Sequence, residues 1–157
     1  MAITVNIDVS FGQLCVFQST LKDPFSEWTD EHVAQGFAWR PGSASFRSVV
    51  DAGEHRVDIS VVNHLEKIGD DVVRAIEVPF EVSEDGAVEI GSIADTVVLN
   101  LPPGSYLLRC EFLHPITDAF ERTRLTFAKG EQPRFKVALA DSMLSPGGEI
   151  LTIALPA

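Results

Sequence analysis

The chain has 157 residues, 23 of them acidic and 12 basic, a formal net charge of −11 and a hydrophobic fraction of 45%. That length suits a single domain, residues 1–157, with a substantial core, and that hydrophobic content excludes a disordered chain. The charge excludes direct nucleic-acid binding, which needs clustered Lys and Arg, and favours basic partners over anionic membranes.

In chain order, residues 3–10 alternate cleanly, with Ile3, Val5, Ile7 and Val9 on one face and Thr4, Asn6, Asp8 and Ser10 on the other. This predicts a half-buried strand and neither a signal peptide nor a membrane-spanning helix. Phe11-Gly12 turns the chain into a second strand, Gln13–Gln18. Thr29 or Asp30 can cap a short helix that Gly36 stops. Phe37-Ala38-Trp39 and Ser45–Val50 are strand segments around an Arg40-Pro41-Gly42 turn, and Arg56–Asn63 alternates again. HLEKIGDD follows as a polar loop.

Further on, Ile76, Val78, Phe80 and Val82 face the core, which leaves Glu77, Pro79 and Glu81 on the opposite, wet face. Pro79 cannot donate to a ladder, so this strand belongs at an edge or carries a bulge. A Glu84-Asp85-Gly86 turn leads to a short strand, Ala87–Ile90. Thr96–Leu101 and Ser105–Leu113 flank Pro102-Pro103-Gly104, a connection of hairpin length. Ala119–Ala128, Arg134–Ala140 and Glu149–Leu155 are weaker strand candidates. The sum predicts an all-β antiparallel β-sandwich with one short helix, a closed β-barrel being the alternative.

Nothing in this pattern carries catalysis or a cofactor. His32, His55, His64 and His114 form no metal-binding spacing, and His32 beside Glu31 reads as a solvated helix position. Asp70-Asp71 and Glu84-Asp85 are turns without the oxygen-ligand alternation of a calcium loop. No nucleophile elbow or phosphate cradle occurs. Cys15 and Cys110 lie inside apolar strands, which predicts buried free thiols and a reducing, cytoplasmic compartment.

The acidic residues are distributed unevenly. From residue 75 to residue 108 the chain carries Glu77, Glu81, Glu84, Asp85, Glu89 and Asp95 and no Lys or Arg, whereas ordinary surfaces intersperse both signs. Asp23, Glu27, Asp30 and Glu31 form a second group around Trp28, and Arg122, Arg124, Lys129, Arg134 and Lys136 gather basic charge near the C-terminus. An exposed pair, Trp28 and Trp39, would also suit a carbohydrate-stacking platform, the rival reading.

Residues 3–113 also carry a family signature. Val16-Phe17, Glu27-Trp28-Thr29-Asp30-Glu31, Gly36-Phe37-Ala38 and Ser45-Phe46 are followed by Val78-Pro79-Phe80, Val82, Glu84 and Gly86. Ile90, Ser92-Ile93, Leu101-Pro102, Gly104, Tyr106, Leu108 and Cys110 complete it. In order and spacing these resemble the competence protein J family, and the likeness fades after about Leu113, where an added hairpin or a different closing strand is expected. The resemblance implies an inhibitor that binds a cognate basic DNase directly. Joined to the acidic run, it gives an expected partner surface of Glu77, Glu81, Glu84, Asp85 and Glu89, with Asp30, Glu31 and the aromatic anchor Trp28.

Overall fold

The computed structural model describes residues 2–157. Among them eleven strands and one helix run in the order β1 (Ala2–Val9), β2 (Gln13–Gln18), α1 (Asp30–Gln35), β3 (Phe37–Arg40), β4 (Ser43–Arg47), β5 (Gly53–Val62), β6 (Val72–Val82), β7 (Ala87–Gly91), β8 (Thr96–Asn100), β9 (Gly104–Leu113), β10 (Glu121–Ala128) and β11 (Lys136–Leu139). The strands make a six-stranded sheet, β1-β5-β10-β9-β6-β11, and a five-stranded sheet, β3-β4-β2-β7-β8. The larger sheet is antiparallel except where β10 runs parallel to β5. The two sheets pack face to face as a sandwich, and neither closes into a barrel.

The core lies between the sheets and follows the period-2 alternation of the strands. Ile7, Leu14, Phe37, Phe46, Ile59, Ile76, Leu108 and Phe127 are fully buried there, each contributing about 1.5–3 kcal/mol of transfer free energy. Cys15 and Cys110 are also buried and free. Tyr106 anchors the entry to β9, donating its hydroxyl to the Pro102 carbonyl at 2.6 Å, the arrangement of a sandwich tyrosine corner.

Three local features go beyond or against the sequence expectations, and a fourth decides between the two offered for β6. Pro102-Pro103-Gly104 does not close a hairpin. It carries the chain from β8 in one sheet to β9 in the other, because the rigid prolines suit a crossover as well as a turn. Glu149–Leu155 forms no strand; it lies along α1, its backbone bonded to side chains. The outer face of β9 is covered as well as the inner one. Residues 63–71 pass diagonally over it, with Arg109 donating to the Glu66 carbonyl at 2.7 Å.

Fourth, β6 is not an edge strand, although β11 pairs with it only from Ala75 to Glu77. Pro79 lies beyond that short ladder, so its missing N–H leaves no ladder bond unmade. A register shift between Val72 and Arg74 supplies a bulge as well.

Candidate functional site

Strand register decides which acidic residues come together. Phe17 of β2 stands opposite Glu89, and Gln18 opposite Val88. The Gln18 amide donates to the Glu81 carbonyl at 2.9 Å, and the Ser19 N–H donates to the Ala87 carbonyl. Glu81, the 83–86 turn and Glu89 therefore share the end of the sandwich where β2 finishes. Glu81, Glu84 and Asp85 are exposed, and none of them makes an ion pair among the described residues.

Asp85 accepts from the Ser83 hydroxyl at 2.7 Å and from the Ala87 N–H at 3.1 Å. These two bonds, the serine first, hold its carboxyl below the usual range. It is thus a fixed anion at the tip of the turn. Glu89 is half-buried and accepts from the Thr96 hydroxyl at 2.7 Å and from the Ser19 hydroxyl at 3.3 Å. Asp23 lies towards the same end, because Arg40 donates to its carbonyl and Ser43 donates to that of Pro24.

Glu77 does not belong to this surface. Alternation places it on the outward face correctly, but Arg109 and Arg134 cover it there. Its carboxylate is 1% exposed and meets Arg109 Nη2 at 2.7 Å and Arg134 Nε at 2.8 Å. It is the centre of a buried ion triad and is closed to a partner. Removing it would strand two guanidiniums, one of them buried.

The second acidic group lies elsewhere. Trp28 lines a cavity of about 340 Å³ with Phe11, Gln13 and Arg47, at the end where β2 begins. Asp30 and Glu31 are exposed in the first turn of α1 beside it. The backbone N–H of Glu31 and then the Thr29 hydroxyl hold the Glu31 carboxyl below its ordinary value. From Gln13 to Gln18 the strand spans about 15–20 Å, so Asp30, Glu31 and Trp28 lie at the opposite end from Glu81, Glu84 and Asp85, and Asp23 alone of their group lies towards the latter.

Trp28 itself is half-buried, its ring edge against His32 at a centroid distance of 6.4 Å. His32 is not a solvated position but 3% exposed. Its Nδ1 accepts from the Thr29 N–H at 3.0 Å, and its own N–H donates to the Thr29 hydroxyl at 3.4 Å. It completes a capping box in the place where Glu or Gln usually stands, which is why a search for the acidic form of that box misses it.

Two of the five C-terminal basic residues, Arg124 and Arg134, are spent in internal ion pairs. Arg124 pairs with Glu111 at 3.4 Å and Asp71 at 3.5 Å, and Arg134 with Glu77. The acidic end is therefore not neutralised from that side. Beside it lies one further feature, which sequence spacing could not reveal because its walls are up to 94 residues apart. It is a slot of about 410 Å³ between Trp39, Pro41, Pro79 and Pro133, with Glu81 on its lining. The Trp39 indole N–H donates to the Pro79 carbonyl at 2.7 Å, fixing the ring between the sheets. Trp28 and Trp39 line different cavities, so they form no common stacking platform. No cluster of three or more metal-ligating side chains exists among the described residues, and no helix there is long and apolar enough to cross a membrane.

The model of the family described as Competence protein J (ComJ) matches residues 6–128, so the likeness runs past Leu113 through β10. A DNA-entry nuclease inhibitor of Bacillus subtilis (strain 168) is 33% identical over 109 residues, covering 66% of this chain and 76% of that protein. The crystal structure of ComJ from Bacillus subtilis, described as an inhibitor of the DNA-degrading activity of NucA, superposes with a TM-score of 0.65 at 24% identity. That match covers 80% of this chain and 94% of the other and establishes the shared fold.

Proposed function

This chain belongs to the competence protein J family, and on that premise we propose that it is a stoichiometric protein inhibitor of a DNase, not an enzyme, acting in the cytoplasm. The observation that carries the mechanism is the end of the sandwich bearing exposed, unpaired Glu81, Glu84 and Asp85 with half-buried Glu89. A DNase presents a basic groove to phosphates. Carboxylates fixed on a rigid turn occupy such a groove as phosphate substitutes through charge-assisted hydrogen bonds to its Arg and Lys. The buried Glu77 and the distant Asp30, Glu31 and Trp28 lie outside this surface.

The test is capture from the native lysate with this protein as bait, washed at low and at moderate salt. A single basic protein should be retained whose DNase activity disappears at an equimolar ratio. The double reversal Glu84→Lys with Asp85→Lys should weaken inhibition by about tenfold or more and leave the melting temperature within a few degrees of the parent. Equal inhibition by the reversed protein would dismiss the groove-mimic mechanism. Absence of any inhibited DNase among the captured proteins would dismiss the inhibitor reading itself.

A further inference from the structure

The proposal rests on the inhibitor reading above and names what one part of that surface receives. The slot beside the acidic turn has an aromatic wall, Trp39, and three proline rings, Pro41, Pro79 and Pro133. Its polar lining comes from Gln18, Glu81, Ser105 and Tyr106. Glu81 is exposed there with no cation paired to its carboxylate, and the Gln18 amide is already committed to the Glu81 carbonyl. Among the described residues no Lys or Arg lines the slot; Lys129 Nζ stands 5.9 Å from the Tyr106 ring centroid but outside the lining.

Flat apolar walls with a free carboxylate on the lining match one side-chain chemistry better than others. An arginine places its methylene stem along the prolines, lays its planar guanidinium against the indole and donates to the carboxylate. The guanidinium is weakly hydrated and stacks on aromatic faces, which a lysine ammonium does less well. A purely apolar occupant would leave Glu81 unpaired at the edge of a dry contact, a net cost. We infer that the slot between Trp39, Pro79 and Pro133 is the receptor for one arginine side chain of the partner nuclease, with Glu81 as its counter-ion.

Pro133 gives the slot a second property. It lies beyond residues 6–128, the part that matches the family, yet it forms one wall. The slot is therefore walled in part by a segment outside the matched region, so its fit to an arginine depends on residues beyond that region.

The experiment uses the full chain, labelled with ¹⁵N, and its two tryptophan indole N–H signals, assigned with Trp28→Phe. The probe is a blocked Gly-Arg-Gly peptide taken to tens of millimolar, compared with the same peptide carrying citrulline, which keeps the shape and loses the charge. The Trp39 signal should shift while that of Trp28 stays. The citrulline peptide should bind at least about fivefold more weakly, Glu81→Gln should reproduce that loss, and Ser105→Tyr should abolish the shift by filling the slot. A Trp39 signal that ignores the arginine peptide, or that answers both peptides equally, overturns the proposal. A chain that inhibits its DNase yet shows either result refutes the slot alone; a chain that inhibits no DNase refutes the inhibitor reading whatever the peptides do.

Discussion

His55 is 1% exposed on β5 between β1 and β10, with its Nδ1 3.0 Å from the Gly53 carbonyl. Nδ1 carries the proton in that contact. Burial pushes its pKa below 6.5, opposed by the Gly53 carbonyl and by the charges of Glu121 and Asp8. The folded state therefore favours the neutral ring, while the unfolded chain takes up a proton at the ordinary value. Stability from this group is complete above pH 6.5 and is lost as pH falls from there through the depressed folded value. The melting temperature of the parent should drop between pH 7 and pH 5, and His55→Gln should flatten that part of the profile; an unchanged slope would show that other groups govern it. Neighbouring cases show what a single sequence reveals at this scale. Burial raises the Cys15 thiol to about 11, as an apolar strand position implied. Glu77 shows the opposite, since alternation gave its face correctly and could not reveal that Arg134, far along the chain, would lie over it.

Among the elements, the strands were legible because their apolar and polar residues alternate against one buried face, and α1 because Thr29 and Gly36 mark its ends. The last stretch, 149–157, was not, because its order comes from contacts with residues more than a hundred positions away. Gln35 donates to the Leu151 carbonyl and accepts from the Leu151 N–H, both at 2.9 Å, and His32 meets the Ile153 carbonyl at 3.1 Å. Glu27 and Ala157 add backbone bonds across the same seam. One glutamine thus replaces a strand partner for this segment. Gln35→Ala should leave Leu151 without its partners, at a cost of about 1–3 kcal/mol. Amide exchange should accelerate across residues 151–157 while the strands of both sheets keep their protection. Unaltered exchange in that segment would mean the tail is held by apolar packing and by its backbone bonds to Phe25 and Glu27.

Across the whole molecule, a net charge of −11, with exposed Glu81, Glu84 and Asp85 unpaired at one end of the sandwich, would make association with a basic partner a steered encounter. The on-rate should fall by about tenfold or more between low and high salt, with a smaller change in the off-rate. Stopped-flow binding to the captured nuclease reads both, and a salt-independent on-rate would remove steering. Charge polarisation was legible along the chain, but the separation of its two acidic groups was set by strand register and so was hidden. The position of β10 has a consequence of a different kind. It is the next-to-last strand made, yet it sits in the middle of its sheet, parallel to β5 and hydrogen-bonded to β9 on its other side. Without β10 the β1-β5 and β9-β6 pairs of the larger sheet have no strand between them, although β2 and β7 join the two halves in the smaller sheet. Within the larger sheet the two pairs are joined only when residues 121–128 take their place. The larger sheet is therefore completed in one late, non-local step, at the slow end of the range for chains of this size.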